Sequence, residues 1–134
     1  MNPICLTAIR IVSACIVSTL LSCEMAGAAV DELARAIRED KQLCSTPDGL
    51  MYEVKFLAAI SPALFGALDA CAGSKTYNFE MAFIISSDGR IKRTVYTRNQ
   101  PIAACVAAKL NGVSGPRPPR DPCTIVGHYS SKPK

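Results

Sequence analysis

Seven cysteines and one histidine are the most chemically versatile side chains in this 134-residue sequence. Cys5, Cys15 and Cys23 fall in the apolar beginning, and Cys44, Cys71, Cys105 and Cys123 in the remainder. Thiols can bridge, ligate a metal or attack an electrophile. The later four are separated by 27, 34 and 18 residues, with no CxxC pair, and these intervals match no zinc motif. An even set in a small exported domain reads instead as two disulfides, each contributing roughly 2–4 kcal/mol. Three connectivities are open. Cys44–Cys71 with Cys105–Cys123 is the expected one, because each bond then closes a short loop within one half. A nucleophilic Cys105 or Cys123 paired with His128 would need a free, activated thiol, which bridging removes. His128 has no upstream Asp or Ser partner that the sequence identifies, and reads as a surface or strand-facing residue.

The carboxylates offer no acid/base pair. Glu39 and Asp40 fall on a helix exterior, Asp88 is explained by a turn, and Glu80 by an outer strand face. Ala72-Gly73-Ser74-Lys75 lacks the leading glycine and the strand–loop–helix setting of a phosphate loop. The expectation is a protein that is not an enzyme, with no catalytic residues, no metal site and no cofactor.

Compartment is read from the first residues. Arg10 precedes an apolar run, Ile11 to Ser22, of only twelve residues. A bilayer span needs ~20, so the run suits a signal peptide over residues 1–28, with Ala26-Gly27-Ala28 as the processing site. Thr19-Leu20-Leu21-Ser22-Cys23 offers an alternative, a lipobox that would acylate Cys23, with Glu24 suited to outer-membrane sorting. The expected location is periplasmic or secreted, or, on the alternative, an outer-membrane lipoprotein with a structural or assembly role.

Charge is divided along the chain. Residues 29–89 carry five Lys/Arg and nine Asp/Glu, whereas residues 90–134 carry nine Lys/Arg and only Asp121. Arg90, Lys92, Arg93 and Arg98, with Arg117 and Arg120, form a candidate basic patch. Such a patch could meet an acidic envelope protein, anionic lipid or lipopolysaccharide. It could equally guard an edge strand and keep the chain soluble. Nucleic acid is not expected, since Tyr96 is the one aromatic inside the group.

These residues must be positioned by a small α+β domain spanning 29–134, helical over 29–74 and ββαβ over 75–130. Asp31 to Cys44 reads as a helix with Leu33, Ile37 and Cys44 on one face. Thr46 and Pro47 restart the chain as a cap and first helical residue. Residues 48–60 fit a helix or an extended segment. Ser61-Pro62 reads as a second break, with a third helix from Pro62 to Ala72 and Gly73 as its stop. At Lys75 the period becomes two: Phe79, Met81, Phe83 and Ile85 alternate with Glu80, Ala82, Ile84 and Ser86. Ile91 to Thr97 makes the return strand. A three-residue loop with Gly89 left-handed opposes Ile85 to Ile91 and Met81 to Val95, but places Arg93 on the apolar face. Pro101 opens an alanine-rich helix with Ile102, Cys105, Val106 and Leu110 as its stripe, closed by Asn111-Gly112. A polyproline-like connector over 116–122 leads to a last strand from Thr124 to Tyr129.

The order from 79 to 126, FEMAFIISSDGRIKRTVY, PIAACVAAKL, GPRPP and CTIV, resembles the C-terminal domain of TonB-like periplasmic proteins. The resemblance implies a small two-layer α/β sandwich in the envelope, without enzymatic activity, working through protein contacts in which a partner segment adds to the sheet edge. The long Pro-rich spacer of energy-transducing members has no counterpart here. The N-terminal helical half lies outside the likeness.

Overall fold

The computed structural model describes residues 32–131. The expected signal peptide at 1–28 and the alternative lipobox at Cys23 lie outside them, as do residues 132–134. Helix α1 spans 32–44, followed by α2 (Pro47–Ala72), β1 (Asn78–Ile85), β2 (Ile91–Tyr96), α3 (Pro101–Leu110) and β3 (Cys123–Ser130). The fold is α+β. The sheet has the order β2-β1-β3 with both pairs antiparallel.

The central place of β1 follows from its sequence, which is apolar on both faces. Phe79, Met81, Phe83 and Ile85 enter the main core with Phe56, Ile60 and Leu64 of α2 and Val106 and Leu110 of α3. On the other face Ala82 packs with Val95 and with Ala36 of α1, while Leu33, Ile84 and Val126 lie alongside. A sheet with two apolar faces must be covered twice, and α1 supplies the second cover. The face that α1 buries is set by Ala36 and Leu43, one step round from the expected Ile37 and Cys44.

Helix α2 is one continuous element of 26 residues. Thr46 Oγ1 accepts from the Gly49 N–H at 3.2 Å, and Gly73, at φ 56°, closes the other end. The expected break at Pro62 does not occur, and residues 48–60 are helical. Pro62 removes one backbone donor, but its ring lies on the exposed side. The buried stripe Tyr52, Phe56, Ile60, Leu64 and Leu68 runs through it unbroken, so core packing overrides the local signal.

The β-hairpin has the expected loop: Ser86 N–H donates to Arg90 O at 3.0 Å and Gly89 sits at φ 85°. Ile85 opposes Ile91 as expected, but a β-bulge follows, and Met81 opposes Tyr96 rather than Val95. Lys92 is the extra residue. The bulge reverses the facing of everything after it. Arg93 therefore leaves the main core face, stands opposite Ile84, and pairs with Glu32 of α1.

One disulfide joins Cys71 in the last turn of α2 to Cys105 of α3, with Cα atoms 5.8 Å apart. This corrects the expected pairing of Cys44–Cys71 and Cys105–Cys123. Cys44 precedes the start of α2 and Cys71 ends it, so the helix holds them roughly 35 Å apart at 1.5 Å per residue. Cys44 and Cys123 are free thiols, Cys123 buried and Cys44 half-buried.

Candidate functional site

β2 and β3 each leave one side of the sheet unpaired by a strand, and the chain treats the two sides differently. At the β3 edge the Val126 N–H donates to Asp40 Oδ1 at 3.1 Å, and Thr124 Oγ1 donates to Glu39 Oε2 at 2.8 Å. Glu39 and Asp40 are thus not idle on a helix exterior: they fasten α1 to the strand. Burial pushes the Asp40 carboxyl above its ordinary range; the Val126 hydrogen bond opposes that rise and the neighbouring Glu53 charge adds to it.

At the β2 edge, the first residues are covered by the segment after α3. Ile91 N–H donates to Val113 O and Gly112 N–H to Ile91 O, both at 2.9 Å, and Arg90 bridges to Ser114. Beyond Ile91, no described backbone pairs with the outer side of β2. A groove of about 340 Å³ runs there, lined by Glu32, Arg93, Thr94, Val95, Tyr96, Arg98 and Asn99. Thr94 is among its lining residues, but its Oγ1 is buried from solvent, the one such side-chain oxygen among the described residues without a hydrogen-bond partner. An unpaired strand edge offers backbone hydrogen bonds to an extended segment.

The structure places Arg90, Lys92, Arg93 and Arg98 on or next to β2, all exposed. Two of the four are engaged within the chain. Arg90 pairs with Asp88 at 3.4 Å and Arg93 with Glu32. The Ser86 hydroxyl and the Arg90 N–H hold the Asp88 carboxyl below its ordinary range. Lys92 and Arg98 form no ion pair with any described residue. Arg117 is exposed on the connector, which lies against the hairpin turn: a side chain at Gly89 would meet the carbonyls of Gly115 and Pro116. Arg120 does not join the group. It lines a second groove with Glu39, Gln42 and Leu43, between α1 and the start of β3. The sequence offered no sign of Asp40 as a contributor to the β3 edge, because that role arises only from tertiary placement.

Among the described residues, the cysteines and His128 lie in separate surroundings. Cys105 is bonded to Cys71. Cys123 and His128 are five residues apart on one strand, which puts them on opposite faces about 17 Å apart; Cys123 is in the core and His128 is exposed opposite Glu80. The Cys44 thiol donates to Glu53 Oε2 at 2.6 Å and approaches Asp40 Oδ1 at 3.9 Å. Burial, then the Glu53 hydrogen bond and the surrounding negative charge, push it up to about 12. Burial likewise lifts Cys123 to about 11, with Arg120 opposing the rise. Both are protonated and poorly nucleophilic at neutral pH. Asp40, Cys44 and Glu53 bring one potential ligand atom each within 4.8 Å of one another. This is a mixed sulfur–oxygen set, one ligand short of the usual closed zinc site.

Comparison with family models, curated proteins and solved structures found no match.

Proposed function

We propose that the protein is an exported bacterial envelope component that binds, without catalysis, an extended segment of another envelope protein along the open edge of β2. The observation that carries this reading is the edge beyond Ile91, left unpaired among the described residues, with the groove beside it. Backbone hydrogen bonds would supply affinity and the alternate side-chain positions selectivity. Lys92 and Arg98, unpaired among the described residues, would steer an acidic partner to the edge. The resemblance of 79–126 to TonB-like C-terminal domains supports the same mode. Export is supported by the apolar run at Ile11–Ser22 and by the Cys71–Cys105 bond, a feature of oxidising compartments. The mature chain would then begin at Ala29 in the periplasm or outside the cell. Acylation of Cys23 would instead give a lipid-anchored assembly factor with the same binding edge.

Changing Arg90, Lys92 and Arg98 together to Glu tests the patch. Capture of envelope proteins by the purified domain should fall at least tenfold, a like-charge penalty of about 1.4 kcal/mol or more. Unaltered capture would contradict the role of the patch. Vesicles containing phosphatidylglycerol serve as the parallel probe. Charge-dependent binding to them, with protein capture unchanged, would reassign the patch to anionic lipid or lipopolysaccharide.

A further inference from the structure

Helix α2 carries large apolar side chains on its exposed side as well as on the side that meets the core. Leu50, Met51, Val54 and Phe65 are 51%, 55%, 58% and 62% exposed. An apolar helix face is normally covered. Met51, Ala58, Pro62 and Gly66 share the exposed line with Phe65 at its border, opposite the buried stripe of Phe56, Ile60 and Leu64. The small residues there leave room for close approach, and nothing lies within 4 Å of a side chain built at Gly66.

We propose that this face of α2 packs against the same face of a second copy of the chain, antiparallel, about a two-fold axis at Pro62. The charges select this occupant. Between Met51 and Ala70 the exposed side carries one cation, Lys55, and one anion, Asp69, and neither pairs with any described residue. Each lies seven residues from Pro62, on opposite sides of it. Seven residues are nearly two full helical turns, so Lys55, Pro62 and Asp69 stand on one line of the helix. In an antiparallel pair centred on Pro62, each Lys55 meets Asp69 of the other copy. The same register sets Phe65 of one copy over Ala58 and Ala59 of the other, and Gly66 opposite Ala58. One patch that is complementary to itself in shape and charge is the requirement of a two-fold interface. A bilayer would fit this face worse, since both charges sit on its centre line and would enter the hydrocarbon.

Sedimentation velocity on the chain as recovered from its host tests the proposal. A concentration-dependent dimer is expected. Lys55→Asp and Asp69→Lys should each weaken it about tenfold, because each places like charges together at both ends. The double variant Lys55→Asp/Asp69→Lys should return to within about threefold of the wild type. Phe65→Glu should abolish it. Far-ultraviolet circular dichroism verifies that every variant is folded. A monomer at roughly 100 µM would overturn the proposal. So would a dimer indifferent to both single charge reversals, or one that forms only after residues 1–31 are removed, which would make that segment the cover. Flotation of the protein with neutral phosphatidylcholine vesicles, lost in Phe65→Glu, in place of self-association would give the face to a membrane. The β2 edge takes no part in this contact, so its failure and that of the binding reading are separable.

Discussion

The β3 edge is closed by side chains of α1, whereas the β2 edge beyond Ile91 faces a groove bordered by cations. Asp40 takes the hydrogen bond of an outward N–H, Glu39 holds the next strand residue but one, and the apolar contacts of α1 stay small: Leu33, Ala36, Ile84 and Val126. On the β2 side the chain relies on Lys92, Arg93 and Arg98 and on a bulge, which deter indiscriminate strand pairing without filling the edge. One edge is finished by structure and the other is guarded by charge. Among the described residues no strand pairs with the guarded edge beyond Ile91, which is why the proposed binding rests there.

The comparison can be broken from below by removing what both edges share. Phe56 is fully buried between α2 and the sheet, and Gly115 approaches its ring so closely that no side chain would fit there. Phe56→Ala should cost about 3–5 kcal/mol in urea unfolding, and both edges should lose protection together. Next in size is the Cys71–Cys105 bond, which ties α2 to the helix that contacts β2. Replacing both cysteines with Ser should cost about 2–4 kcal/mol. Intact mass before reduction should be two hydrogens light, with Cys71 and Cys105 in one linked peptide.

The sharpest contrast is between single residues at the two edges. Asp40→Ala should destabilise by about 1–3 kcal/mol, because it leaves the Val126 N–H without its acceptor. Lys92→Ala should change stability by less than about 0.5 kcal/mol while still weakening capture. Equal losses at the two positions would erase the distinction. Alkaline pH probes the α1–β3 corner separately. Burial pushes the Cys123 thiol up to about 11 and the Cys44 thiol up to about 12 in the fold, from an ordinary value of 9.0. As pH rises from about 9 the unfolded chain binds fewer protons than the native one, so stability falls across that window. A thermal midpoint that declines between pH 8.5 and 11, and declines less in Cys44→Ser/Cys123→Ala, is the expected result. The exposed Arg93–Glu32 pair is also a small contributor, and either Ala substitution should cost about 0–1 kcal/mol.

Much of the sheet was legible in the sequence because its signals are local. The alternation from Phe79 to Ile85, the left-handed Gly89 and the alanine-rich stripe of α3 each follow from a period or a turn that a few residues define. The bulge at Lys92 was not, although the polar Arg93 on an apolar face was its symptom. Pro62 carried a strong stop signal that the burial of Ile60 and Leu64 on either side overrode. The disulfide could not be chosen from loop length, since pairing depends on which ends of helices meet. Of the candidate site, the basic residues of β2 were visible by type and spacing. Their intrachain partners, Asp88 apart, and the closing role of Asp40 depend on α1 crossing the second face, a contact some ninety residues apart in the chain for Asp40 and Val126.

The most direct test of the account places a photoreactive amino acid, one site at a time, at Lys92 and Arg98 on the open edge and at His128 on the β3 strand, and irradiates the native host. The account predicts discrete cross-linked adducts from 92 and 98 and none from 128. Adducts from 128 alone, or equally from all three, would contradict the assignment of binding to the β2 edge.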